Sequence, residues 1–277
     1  MDNKKQMKQQ EDFKELSVAE QQDLLEKYDI ESNQRKFDGA MKWLIFIGLL
    51  AFSLFQLYTA IFGQFPAQIQ RTVHLGFGLT FIFLLYPARR VLSKKKIPFY
   101  DYILALIAIG VGSYWVTNYN RLVQSLGKLE MLDFLFGLVA ILLVLEAARR
   151  AVGLPITIIA SVFLLYGYFG PYMPEFIAHR GQSINNIVNL MFYSTDGILG
   201  TPLAVSSTYI FAFLLFGAFL VKTGVGEYFN DLAISVAGKL VGGPAKVAIF
   251  SSALQGTISG SSVANVVTSG AYTICLL

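Results

Sequence analysis

Apolar residues run in long stretches from about residue 41 onward, and the stretches are continuous rather than alternating. Runs approaching the length of a bilayer crossing predict membrane-spanning α-helices, whereas a β-barrel would alternate apolar and polar positions. Six spans are expected, at about 41–62, 72–86, 99–116, 134–145, 155–169 and 202–221, several of them closed by PARR, EAARR or GPYMP. Between spans five and six, SINNIVNLMFYS places Ile184, Ile187, Val188 and Met191 at helical spacing, so a short helix either lies on the membrane surface or packs on its neighbours. After span six, GVGEYFNDLAISVAGKL repeats apolar residues at steps of three and four, from Val225 and Tyr228 to Val236 and Leu240. Glu227, Asn230, Asp231, Ser235 and Lys239 fall on the other side. This pattern predicts an amphipathic helix, too polar on one face to span, lying in the interface.

The pattern then breaks. AKVAIFSSALQGTI, residues 245–258, would be about 21 Å long as a helix, short of the roughly 30 Å apolar core. SGSS interrupts, and VANVVTSGAYTICLL comes next, again too short alone. Either one kinked span crosses here, or a re-entrant hairpin turns near the midplane. Irregular backbone at that depth is tolerated where it is buried in protein or lines a cavity, and discontinuous helices recur at transporter sites. Ser259, Ser261, Ser262, Asn265 and Thr268 offer hard oxygens with no local carboxylate, a donor set suited to Na⁺. Small residues at a helix–helix interface would look similar. The amide at 265 and the two short halves weigh toward a site.

Composition narrows the class further. Of the 277 residues, 55% are hydrophobic and 14% charged, about half the charge of a soluble domain. One cysteine, Cys275, excludes an internal disulfide framework or a CxxC motif. Residues 1–39 form a polar segment with 7 Lys/Arg and 10 Asp/Glu, so the basic excess belongs to the apolar remainder. Counted by loop, 13 basic residues flank one side and 4 the other, which puts the N-terminus in the cytoplasm by the positive-inside rule. Membrane topology, not nucleic-acid binding, accounts for that charge. Glu146 is followed by Arg149 and Arg150 on one helical face, an expected local ion pairing. His74 is expected to be a packed or interfacial residue, and two isolated histidines, His74 and His179, make no metal site. No nucleophile–base pair appears in the spans, so the chain is not expected to be an enzyme.

The stretch from GILGTPLAVSSTYIFAFLLFGAFL through GTISGSSVANVVTSGAYTI, with LEAARRAVGLPITIIASVFLLYGYFGPYMPEFIAHRG before it, resembles the fused membrane subunit of tripartite ATP-independent periplasmic (TRAP) transporters. The resemblance implies a small-subunit-like four-helix scaffold over 40–150 and the N-terminal part of the large permease domain over 151–277. It implies Na⁺-driven uptake of an organic acid, such as a C4-dicarboxylate, by an elevator mechanism across a bacterial or archaeal inner membrane. An extracytoplasmic solute-binding protein would deliver the substrate, with no cofactor beyond Na⁺. It makes SGSSVAN the tip of a first re-entrant hairpin, with Ser259, Gly260, Ser261, Ser262, Asn265 and more weakly Thr268 binding Na⁺ or the substrate carboxylate. Residues Glu227, Tyr228, Phe229 and Asp231 would belong to an arm helix. The family continues beyond YTI with a Pro and further spans, where this chain reads Cys275 and ends. The expectation is therefore a truncated chain that does not transport alone; the alternative is a non-transporting scaffold, or a half-transporter that joins a separately encoded second half.

Overall fold

The computed structural model describes residues 34–35, 37–88, 97–125 and 127–257. Every regular element among them is helical. The described residues fall into two compact units, one up to Ala212 and one from Phe213 on.

In the first unit, α1 (Ala40–Phe62) and α2 (Ala67–Leu85) are antiparallel, joined by a short turn before Pro66. Next come α3 (Phe99–Thr117), the short α4 (Tyr119–Gln124), α5 (Met131–Ala151) and α6 (Leu154–Phe169). Local chemistry sets these boundaries. Pro98 precedes α3, and Glu130 with Asp133 forms a reciprocal capping box that starts α5. Gly153, at φ 125°, makes the tight reversal into α6 that a side chain would resist. A short stretch, α7 (Ile184–Val188), runs directly into a π-helix at Asn189–Tyr193. The last span is one continuous helix: α8 (Thr201–Val205), a π-helical segment at Ser206–Ile210, and α9 (Phe211–Lys222).

Among the described residues, five helices are long and apolar enough to cross a membrane: Ala40–Phe62, Phe99–Thr117, Met131–Ala151, Leu154–Tyr172 and Thr201–Leu220. The remaining long helix, α2, begins at Ala67 rather than near Thr72, so its first turns carry Gln68, Gln70 and Arg71. Those polar turns are sheltered inside the bundle, with Gln70 and Thr72 buried. The core gathers α2, α3 and α5: Phe83, Ala108, Trp115 and Ala140 are at 1% exposure or less. Gly76 of α2 and Gly112 of α3 let the two backbones approach closely, the small-residue packing usual for helices in lipid. By contrast α6 buries no residue and α1 only Ile45, Gln56 and Thr59, leaving broad apolar faces of the kind that meet acyl chains. The 184–200 segment packs rather than lying on a surface: Val188, Phe192 and Leu199 are buried, and Gly137 of α5 leaves room for Val188 and Tyr193.

In the second unit, α10 (Val225–Ala237) and α11 (Gly243–Gly256) form a helical hairpin. Its core is Ala233, Ala237 and Val247. The 14 residues of α11 span about 21 Å, so this is a half-length helix, and it ends at Gly256. The SGSS break and the second half-helix lie outside the described residues.

Candidate functional site

The predicted tip residues, Ser259, Gly260, Ser261, Ser262, Asn265 and Thr268, lie outside the described residues. The stem leading toward them is α11 packed on α10. Of the arm-helix residues, Glu227 falls in the first turn of α10, Tyr228 and Asp231 are exposed, and Phe229 is half-buried. Asn230 corrects the pattern reading. Counted with the polar face, it is buried against α11, where its Oδ1 accepts from Ser251 Oγ and from Gln255 Nε2 at 3.0 Å. The small side chains of Ala233 and Ala237 bring the helices close enough for an amide beside them to find partners across the gap. Tyr228, Leu232 and Val236, on the apolar stripe, are exposed in this unit.

A second polar constellation sits among the apolar helices of the first unit. Gln70 Nε2 donates to Gln56 Oε1 and Thr59 Oγ1, both at 3.1 Å, and to the Ser207 carbonyl at 3.3 Å. Gln56 Nε2 in turn donates to His74 Nδ1. An amide nitrogen only donates, so Nδ1 is the bare nitrogen and His74 is assigned the neutral Nε2–H tautomer. That N–H faces Ser206 Oγ at 3.2 Å. Arg71 donates to the Leu199 carbonyl at 2.6 Å. The chain of bonds ends on the π-helical segment 206–210, where the widened turn alters which carbonyls are free for outside partners. His74 is thus packed and hydrogen-bonded, with the rings of Phe52 and Phe211 5.2 and 6.2 Å away. Pattern reading missed Gln56, Gln70 and Ser206 as partners. The available signal was spacing: Gln56/Thr59 and Gln70/His74 sit at i,i+3 and i,i+4 within apolar helices.

Two ion clusters close the ends of the α2–α3–α5 core. At one end Asp101, fully buried, accepts from Arg35 Nη2 at 2.5 Å and Arg150 Nη1 at 2.7 Å. Glu146 binds Arg149 and Arg150, each at 2.7 Å, as the spacing predicted. Arg35 also donates to the carbonyls of Phe83 and Leu84, and Arg149 to that of Ala88. Arg35 therefore satisfies C-terminal carbonyls of α2 that no helical N–H reaches, and Arg149 holds the chain just beyond the helix end. At the other end Asp133 accepts from Tyr114 at 2.5 Å and from both Arg121 Nη atoms at 2.6 and 2.9 Å, while Tyr193 Oη donates to the Asp133 carbonyl at 2.6 Å. The Asp133 hydrogen bond raises the Arg121 pKa further above its already high value. Burial, then the nearby Asp133 charge, push the Tyr193 phenol up. These clusters are structural pins; among the described residues no three His, Cys, Asp or Glu side chains converge as a metal site.

Helices of membrane-crossing length, an all-helical core and a half-length helix leading to a polar break define a multi-pass membrane protein. Residues 139–277, half of the chain, match the family described as "Tripartite ATP-independent periplasmic transporter, DctM component", and the chain belongs to that family of TRAP permeases. It is therefore a membrane component for solute uptake, not an enzyme, and its family works with an extracytoplasmic solute-binding protein. No curated protein and no solved structure matches the chain.

Proposed function

We propose that the chain is the membrane component of a Na⁺-coupled symporter that takes up organic acids handed over by an extracytoplasmic binding protein at the inner membrane. The family match over 139–277 carries this reading, because it includes the polar break and both short apolar stretches around it. Ser259, Ser261, Ser262, Asn265 and Thr268, with the backbone at Gly260, supply oxygens for Na⁺ and N–H groups for the carboxylate. The 13-to-4 loop-charge bias supports a cytoplasmic N-terminus. Residues 40–150 act as a small-subunit-like scaffold, a role that the rigid, doubly pinned α2–α3–α5 core suits.

The test is solute uptake by proteoliposomes carrying the transporter with this chain as its membrane component and its binding protein outside. An inward Na⁺ gradient should drive accumulation of a labelled C4-dicarboxylate or related acid. Asn265→Ala should raise the Na⁺ concentration needed for half-maximal uptake by about tenfold, the loss of one good ligand interaction. Equal uptake in Na⁺ and choline media would reject Na⁺ coupling, and an unchanged Na⁺ requirement in Asn265→Ala would remove the tip assignment.

A further inference from the structure

The α10–α11 hairpin changes character along its length. On α11 the buried positions recur every fourth residue, at Gly243, Val247, Ser251 and Gln255, along one face of the helix. Near the turn this face is small and apolar. A Cβ at Gly243 would stand 2.4 Å from the Gly238 carbonyl oxygen, and Val247 packs with Ala233 and Ala237. Toward the break the face is polar. Ser251 Oγ and Gln255 Nε2 both donate to Asn230 Oδ1, the second at 3.0 Å, and Gln255 Nε2 also donates to Ser251 Oγ at 3.4 Å. All three side chains are buried. Within the last turn of α11, residues 253–256, Gln255 is the buried residue, so this turn is tied to α10 through one shared oxygen.

Apolar packing and hydrogen bonding hold a helix differently. Apolar contact is non-directional and tolerates a small slide or rotation. A hydrogen bond weakens steeply off its line, so two donors converging on one oxygen fix both the rotation and the axial register of the turns that carry them. Stability alone does not call for such a contact, because apolar groups of the same shape can replace both partners of a hydrogen bond at nearly no cost. What the polar contact adds is position. Gln255 stands four residues before Ser259, the first of the oxygens assigned to Na⁺, and a displaced last turn carries the chain after it along. Metal affinity is sensitive to the groups that orient the ligands as well as to the ligands themselves.

We propose that Asn230 is a positioning residue for the Na⁺ site, acting through Ser251 and Gln255 on the last turn of α11, a role that rests on the assignment of Na⁺ to the hairpin tip. The test is Na⁺-driven uptake by proteoliposomes carrying the transporter with this chain as its membrane component and its binding protein outside. Asn230→Leu removes the acceptor at similar volume and should raise the Na⁺ concentration for half-maximal uptake about tenfold, the scale expected when a group that orients metal ligands is lost. Asn230→Asp keeps an oxygen that accepts both bonds and should stay near the parent value. Asn230→Leu combined with Ser251→Ala and Gln255→Met makes the contact wholly apolar; this protein should match the parent in thermal stability and still need the higher Na⁺ concentration. If Asn230→Leu does not fold, Gln255→Met removes the bond from the other side and should give the same shift. A parent-like Na⁺ requirement in the apolar triple variant would make the contact one of stability alone and overturn the proposal. So would a requirement in Asn230→Asp as high as in Asn230→Leu, or an unchanged one in both Asn230→Leu and Gln255→Met while Asn265→Ala shifts it. If Asn265→Ala itself leaves the requirement unchanged, the tip assignment fails and the role of Asn230 falls with it, so the two failures are told apart by one comparison.

Discussion

Replacing Asp101 by Ala removes the one carboxylate that two buried guanidinium groups share. The consequences for the two arginines differ. Arg150 keeps Glu146 at 2.7 Å, so its charge stays compensated. Among the described residues, Arg35 keeps only the carbonyls of Phe83 and Leu84, at 3.3 and 3.0 Å, and becomes a buried cation without an anion there. Breaking a buried pair from one side costs about 3–5 kcal/mol, most of it the penalty of the stranded charge. Asp101→Ala is therefore expected to destabilise the first unit by that amount, and Asp101→Asn by less, since the amide can still accept one bond. Removing both charges should behave differently, because apolar replacement of a buried pair is often close to neutral. Arg35→Met with Asp101→Leu is expected to lie within about 1–2 kcal/mol of the parent, a coupling of several kcal/mol in the cycle. Denaturant titration in detergent micelles, followed by helical circular dichroism, reads the parent, Arg35→Met, Asp101→Leu and the double variant as one cycle, alongside Asp101→Ala and Asp101→Asn. If the double variant is as unstable as the sum of the two single ones, the pair carries no coupling and the assignment of the cost to Arg35 is wrong.

Two further predictions probe the opposite end of the core and the helix contacts. A Cβ at Gly137 would stand 2.5 Å from Val188 Cγ1 and 2.8 Å from the Tyr193 ring, whereas one at Gly76 would stand 3.6 Å from Gly112 Cα. Gly137→Ala should cost about 1–3 kcal/mol and expose the 184–193 segment to limited proteolysis, with Gly76→Ala close to neutral; equal effects would contradict the packing described. Tyr193 has a raised pKa, so its neutral form is favoured by folding and its contribution is complete below about pH 10, then declines as pH climbs toward the folded value. Tyr193→Phe should lower stability by about 1 kcal/mol below pH 10 through loss of the bond to the Asp133 carbonyl, and should flatten the alkaline decline; an equally steep decline in the variant would assign the pH dependence elsewhere.

The spans were legible because solvent chemistry acts on composition: a run such as WLIFIGLLAFSLF has nowhere to go but lipid or core. The Glu146–Arg149–Arg150 pairing was legible because its partners are neighbours on one helix. Pairings between helices were not. Asp101 looks like an ordinary acid at the start of a span, and only the fold brings Arg35, 66 residues away, onto it. The start of α2 was misplaced for a related reason: Gln70 and Arg71 look like loop residues until Gln56, Thr59 and the 199–207 backbone supply their partners. Asn230 failed in the opposite sense, since hydrophobic periodicity assigns every amide to the wet side. Of the candidate site, the break and its oxygen-rich composition were read from local sequence alone, and the short stem helix before it agrees in length with α11.

The π-helical segment at 206–210 amounts to one residue more than a regular helix would use for the same turn. Deleting a residue there would restore the ordinary ladder and rotate the C-terminal part of the span by about 100° around the helix axis, carrying Phe211 away from the His74 ring. The surplus residue and Gln70, more than a hundred positions earlier, thus form a single specification written in two places. Because Gln70 also holds Gln56 and Thr59, one side chain ties the register of the π-helical segment to the contact between α1 and α2.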